Sequence, residues 1–191
     1  MSEVALRFQD LSSRSRFGCK GPGAEAWLSA GGYCVPPIPN TAAVDSAGVL
    51  VARLATAEFL VEAADGGGDH VSSAIRPLAS AERPADVYPV ARFDLVLGIS
   101  GPGTDALLRQ ICSVNFAPLL ADARRHTGPV ILTSMIGVGV VACPRLSDLG
   151  PGVTLWIDPS FAHYFWTTLL EVGHETGGVD IGKSTAVGHT T

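Results

Sequence analysis

Charge is what this sequence has least of. Only 16% of its 191 residues are Asp, Glu, Lys or Arg, against roughly 25% in an average soluble domain. A free monomer keeps a charged surface to stay soluble. The deficit therefore fits a face covered by a partner, and equally a GC-rich coding bias toward Ala, Gly, Val and Pro. There is no basic run, and the formal net charge is −5, which excludes capture of nucleic acid by charge. Long apolar runs are missing too. The nearest, Pro129 to Pro144, is interrupted by Thr133, Ser134, Gly137 and Gly139 and predicts two buried strands rather than a membrane span. Met1-Ser2-Glu3-Val4 lacks the basic-then-apolar pattern of a signal peptide. Cys19, Cys34, Cys112 and Cys143 show neither CxxC nor metal-type spacing. The expectation is four reduced, mostly buried thiols in a cytoplasmic protein.

What is present is a duplication. Leu95 to Leu108 predicts strand, turn and helix: Phe93, Leu95 and Leu97 fall at period two, Gly101-Pro102-Gly103 turns the chain, and Ala106, Leu107, Gln110 and Ile111 follow at helical spacing. Eighty residues earlier, Gly18 to Leu28 matches Gly98 to Leu108 at six of eleven positions, among them Gly21-Pro22-Gly23 on Gly101-Pro102-Gly103. Chance gives about one. Two copies of this length do not make a solenoid; they make a duplicated half-domain. Strands are predicted at Ser15–Cys19, Gly48–Leu54, Glu58–Ala63, Asp86–Leu97, Val130–Thr133, Val138–Ala142 and Val153–Asp158. Helices are predicted at Pro22–Ala30, His70–Ala79 with Asp69 as cap, Pro102–Cys112, and after Ser160 as cap. In the last helix Phe161, Phe165, Leu169 and Val172 share a face. Pro36, Pro37 and Pro39 impose an extended segment, which Asn115 to Pro118 echoes, and Leu149 to Gly152 reads as a turn. Val153–Asp158 answers Glu58–Ala63, with an insert of about sixteen residues in the second copy. The fold class is α+β, each half β-α-β-β-α. It forms one domain over 1–175, with halves of about 1–82 and 83–175 and a loose tail at 176–191.

No side chain emerges as catalytic, cofactor-binding or metal-ligating. Gly177 to Ser184 fits the phosphate-loop pattern up to Lys183 and Ser184. Such a loop needs a strand before it and a helix after it, and here a helix precedes it and seven residues follow. The two Gly-Pro-Gly turns could suggest anion sites at helix starts, but each proline removes an N–H donor. His163 and His174 sit eleven apart with no carboxylate at ligand spacing. Ser134 and Ser160 lie in no nucleophile elbow, and no cysteine has an adjacent base. Trp27, Trp156, Phe165 and Trp166 read as core or interface anchors.

Two blocks carry a family resemblance: Phe17 to Leu28 followed by Pro36-Pro37-Ile38-Pro39-Asn40, and Gly101 to Leu108 followed by Ser160 to Leu169. In this order they resemble the gamma subunit of heterotetrameric sarcosine oxidase over about Ser15 to Gly173. That family is similar in fold to the folate-binding domain of aminomethyltransferases such as the glycine-cleavage T-protein. The resemblance implies a role within a complex that oxidatively demethylates sarcosine to glycine and passes the one-carbon unit to tetrahydrofolate. It implies that NAD and tetrahydrofolate belong to an alpha subunit, covalent FAD to a beta subunit, FMN to a site between those two, and zinc to a delta subunit. The gamma subunit would hold no cofactor and would pack chiefly against alpha. Active aminomethyltransferases carry paired aspartates in a GGxxDD pattern. The corresponding stretch, Gly137 to Cys143, has no carboxylate, so no acid there orients folate or handles a proton. The expectation is a non-catalytic subunit. The alternatives are a stand-alone folate-binding protein, a degenerate transferase, or the same subunit in an oxidase for another N-methylated amine.

Overall fold

The computed structural model describes residues 6–63, 68–79, 83–124, 126–147, 150–176 and 179–182. Twelve strands appear in chain order: β1 (Leu6–Asp10), β2 (Arg16–Lys20), β3 (Thr41–Val44), β4 (Val49–Ala55), β5 (Glu58–Ala63), β6 (Tyr88–Val90), β7 (Leu95–Ser100), β8 (Thr127–Pro129), β9 (Ile131–Met135), β10 (Val138–Ser147), β11 (Gly150–Ile157) and β12 (Val179–Gly182). The helices are α1 (Ala24–Ala30), α2 (Gly68–Ala79), α3 (Thr104–Ile111), α4 (Ala117–Ala121) and α5 (Ala162–Glu175). They build two six-stranded sheets, ordered β12-β1-β7-β11-β10-β9 and β6-β2-β5-β4-β3-β8. The class is α+β, as expected. Pairing is antiparallel except where β12 runs parallel to β1.

The duplication shows in backbone angles. Gly21 has φ +119° and Gly101 φ +115°, a region that side chains other than glycine's rarely enter. Gly23 and Gly103 then precede α1 and α3 with φ/ψ of −84°/−9° and −82°/−3°. The first helical hydrogen bonds repeat as well: Trp27 N–H to the Gly23 carbonyl and Leu107 N–H to that of Gly103, both 3.0 Å. Gly18 faces Leu60 across its ladder and Gly98 faces Thr154. The partner lies 42 residues on in the first copy and 56 in the second, so the insert is 14 residues rather than about sixteen. Most of it is taken up by α4 and the chain leading to β9.

Two compact units result, one of Arg14–Arg92 with Arg124–Ile131, the other of Met1–Ser13, Phe93–Ala123 and Leu132–Thr191. They depart from the expected halves, 1–82 and 83–175. Residues 6–13 supply β1 to the second unit, while β6 and β8 belong to the first. Each half is thus β-α-β-β-β-α: β9 falls on the strand expected at Val130–Thr133, and β3 forms a strand where a bare connection was expected. In the first unit Phe17, Leu28, Tyr33, Val51, Phe59 and Val71 bury the helices against the sheet. In the second, Leu107 and Ile111 of α3 and Phe165 and Leu169 of α5 are buried, and Phe8 meets Trp166 edge to face, centroids 6.3 Å apart.

Other boundaries differ for identifiable reasons. The strand expected at Asp86–Leu97 is two strands, β6 and β7, one in each unit, and Phe93 between them is 80% exposed. Gly150-Pro151-Gly152 lies inside β11 rather than in a turn. A Cβ at Gly152 would come 2.5 Å from the Ile99 carbonyl oxygen, so glycine permits the close approach of β7. Asn115–Pro118 leads into α4 instead of an extended connection. Asp69 falls within the first turn of α2, not at its cap. Ser160 does not cap the last helix. That helix follows Phe161 with no side-chain cap. Asp158 caps the 3₁₀ turn Pro159–Phe161 before it, accepting the Ser160 N–H at 2.8 Å and its hydroxyl at 2.6 Å. These bonds, the hydroxyl's first, hold the Asp158 carboxyl below its ordinary range. Phe161 is exposed, so the buried stripe of α5 is Phe165, Leu169 and Gly173. Within the expected tail, 179–182 is β12; Lys183 to Thr191 lie outside the described residues.

The Gly21 turn is the tightest point. A Cβ there would lie 2.3 Å from the Asp86 carbonyl oxygen, whereas one at Gly32 (φ +82°) would meet nothing within 4 Å. Gly32→Ala should cost about 1 kcal/mol, for positive φ alone, and Gly21→Ala clearly more than that. Urea unfolding of both variants checks the order.

Candidate functional site

Gly137 to Cys143, the stretch set against the GGxxDD pattern in the sequence, leads out of a tight hairpin. Ile136 (φ +43°) and Gly137 (φ +77°) turn β9 into β10, the geometry of a two-residue primed turn. Val138, Val140 and Ala142 then alternate inward. Gly139, which faces out, and half-buried Val141 offer no acid. The stretch Gly137 to Cys143 offers no carboxylate to orient a bound amine or handle its proton.

The other residues singled out from sequence separate rather than converge. The phosphate-loop pattern has β12 through its middle, and a strand there cannot curl its N–H groups around a phosphate. Gly177, Gly178, Lys183 and Ser184 lie outside the described residues. His163 and His174 are both exposed, and among the described residues no group of three or more His, Cys, Asp or Glu could hold a metal ion. Ser134 is exposed on β9, and Ser160 spends its hydroxyl on Asp158. Trp156 and Phe165 are core; Trp27 and Trp166 are half-buried, each edge-on to a buried phenylalanine. Cys19 and Cys143 are buried, but Cys34 is exposed and Cys112 half-exposed, which corrects the expectation of mostly buried thiols.

The proline-rich segment has a partner that spacing did not reveal. Arg53, on β4 and 6% exposed, donates to the carbonyls of Pro36 (3.1 Å) and Thr56 (2.7 Å) and pairs with Glu25 at 2.8 Å. Its guanidinium lies 5.3 Å from the centre of the Phe59 ring. A buried arginine with free donors would be an anion site. This one has both terminal nitrogens committed and instead ties the chain after α1 to the β4–β5 hairpin. A single arginine in a strand pattern gives no signal of that; only the nearby carbonyls that cannot find N–H partners, beside three prolines, could have hinted at it.

One surface of the second unit is apolar and uncovered. Phe161 and Tyr164, at the start of α5, are 47% and 51% exposed. The Tyr164 hydroxyl donates to the Ile136 carbonyl at 3.0 Å, fixing the ring beside the β9–β10 turn. Two half-exposed aromatics held in place have the makeup of interface anchors.

No protein-family model matches the sequence, and no curated protein does either. Solved structures define the class: the chain has the α+β fold, with two antiparallel sheets, of the folate-binding region of aminomethyltransferases. The glycine cleavage system aminomethyltransferase T from Bartonella henselae superposes with a TM-score of 0.60 at 16% identity over 94% of this chain. The chain spans about half (48%) of that protein. A chain of the heterotetrameric sarcosine oxidase from Corynebacterium sp. U-96, solved with pyrrole 2-carboxylate, superposes with a TM-score of 0.69 at 21% identity. That match covers 95% of this chain and 90% of the other.

Two measurements test these assignments. Arg53→Met should cost about 2–3 kcal/mol, since it removes charge-assisted bonds and strands buried carbonyls. Arg109→Ala, which breaks an exposed pair with Asp105 one turn away, should cost no more than about 0.5 kcal/mol. Burial raises the Cys19 thiol to about 12. Iodoacetamide at pH 8 should therefore label Cys34 quickly and Cys19 only after unfolding, as read by peptide mass spectrometry.

Proposed function

We propose that this chain is a non-catalytic subunit of a sarcosine oxidase-type complex, of the gamma kind, in which larger partners carry the chemistry. The observation that carries the reading is the two-way coverage of the oxidase chain, 95% and 90%, against 48% of the transferase. A protein that coincides end to end with an oligomer's chain is a better candidate subunit than one matching half of a two-part enzyme. The hairpin without carboxylates and the low charge fraction support it. On this reading FAD, FMN, NAD, tetrahydrofolate and zinc belong to alpha, beta and delta partners, the complex works in the cytoplasm, and alpha is the chief contact. The substrate is sarcosine or another N-methylated amine whose recognition lies in a partner.

The Phe161–Tyr164 face is the proposed docking surface, and it separates interface from core. Tyr164→Asp places a charge on that surface without opening the interior. It should lower recovery of the complex at least tenfold in co-expression and size-exclusion chromatography, with Tm within a few degrees of the parent. Trp166→Ala removes the ring packed edge-on against Phe8 and should lower Tm by itself, at a cost of about 2–3 kcal/mol for a half-buried ring. The chain purified alone should be colourless and consume no oxygen with sarcosine. A monomer that ignores the alpha-type subunit and binds tetrahydrofolate saturably would replace this reading with a stand-alone folate-binding protein.

A further inference from the structure

The two copies of the half-domain differ in one place where a site could be built. In the second copy, α3 packs directly against α5: Leu107 and Ile111 are buried, and Gln110 Nε2 donates to the Thr176 hydroxyl at 3.1 Å. The glycine turns superimpose the copies at an offset of eighty, so Trp27, Ala30 and Gly31 stand where the second copy has Leu107, Gln110 and Ile111. Two filling side chains are thereby reduced to a methyl and a hydrogen, and a leucine becomes an indole. Between α1 and α2 this leaves a hollow of about 340 Å³ lined by Trp27, Ala30, Gly31, Tyr33, His70 and Ala74, with Ser73 at its edge. A Cβ at Gly31 would lie 3.2 Å from the Tyr33 ring, so the glycine keeps the floor clear.

The walls define what fits. Tyr33 is 6% exposed and lies against the His70 ring, centroids 4.5 Å apart. The Tyr33 hydroxyl and the Ser73 hydroxyl both donate to the His70 carbonyl, at 3.2 and 2.8 Å, so neither has its proton free for a ligand. Among the described residues no carboxylate, ammonium or guanidinium group lines the hollow. Such a lining offers an ionic ligand none of these groups to pair with, while Trp27 and Tyr33 offer a ring apolar contact. The volume is at the small end of ligand pockets, enough for one or two fused rings. Apart from the hydroxyl oxygens, the His70 imidazole on the rim is the polar group left to meet an edge substituent.

We propose that this hollow is a binding site for a small, neutral, planar heteroaromatic compound, held by contact with Trp27 and the Tyr33–His70 stack. The site is independent of the docking role above and lies wholly within the first unit. The test is a ligand-observed NMR titration of the full chain with indole as probe, alongside thermal melting. The parent should bind indole saturably. Ala74→Leu, which fills the hollow with a good helix former, should weaken binding at least tenfold while still melting cooperatively. Trp27→Leu installs the residue of the second copy and should do the same. If Ala74→Leu fails to melt cooperatively, Trp27→Leu decides by the same criterion. Absence of saturable binding to the parent, or binding by the folded Ala74→Leu or the deciding variant within twofold of the parent, overturns the proposal.

Discussion

The structure depends on a left-handed glycine placed directly between a strand and a helix. A strand ending at Lys20 or Ser100 runs away from the region its helix must cover, and within three residues the chain has to reverse. Only a residue with φ near +115° makes that reversal, and at Gly21 a β-carbon would meet the Asp86 carbonyl. Proline in the next position fixes the following φ near its helical value. Neither helix has a side-chain cap, so the turn does what a capping serine does elsewhere. Because the reversal is steric, it constrains residue type more tightly than burial does. That is why the same three residues survive in both copies while the helices after them have diverged.

Divergence followed what each copy had to cover. The second gained an insert containing α4 and packs α3 onto α5 through Leu107, Ile111 and their neighbours. The first ends α1 on Ala30 and Gly31 and binds the next stretch of chain by another means, the buried Arg53 that holds the Pro36 and Thr56 carbonyls. Prolines cannot offer ladder hydrogen bonds, so a segment with three of them needs its carbonyls met from the side. A guanidinium with five donors in a plane suits that task.

The legible parts of this fold were those in which a residue's own chemistry sets its conformation. The glycine turns, the apolar run of β4, the β4–β5 hairpin and the start of α3 are of that kind. Strands that exist only because a partner pairs with them were not legible. Thr41–Val44, Thr127–Pro129, Tyr88–Val90 and Val179–Gly182 are short, two contain proline and two contain glycine, and their ladders are tertiary. The run from Asp86 to Leu97 shows the converse error. There is strand on both sides of Phe93, but periodicity carries no mark of the point where the chain leaves one sheet for another. Gly150-Pro151-Gly152 failed for a third reason: glycine and proline usually mark turns, yet here they let β11 lie against Ile99. At the candidate site the missing carboxylates were legible because absence of a side chain is a fact of sequence. The bond from Tyr164 to Ile136 and the hollow beside Trp27 were not, since each needs two elements brought together.

A fold shared with a folate-dependent enzyme leaves open what a copy without the acids is selected for, because fold and chemistry separate at the site. The β9–β10 hairpin turns on positive φ at Ile136 and Gly137, with inward valines beyond. Holding a bulky β-branched residue at φ +43° is costly, by roughly 1–3 kcal/mol, and asparagine or glycine would relieve it. The turn is fixed by its neighbours instead, since Ile136 receives the Tyr164 hydroxyl on its carbonyl and donates its N–H to the Ile111 carbonyl. The strain is therefore spent on fixing a surface. Tyr164 stands half-exposed beside this turn, with Phe161 three residues before it also exposed. A rigid aromatic surface loses little conformational entropy on association, and that property is what suits Tyr164 to the docking role proposed above.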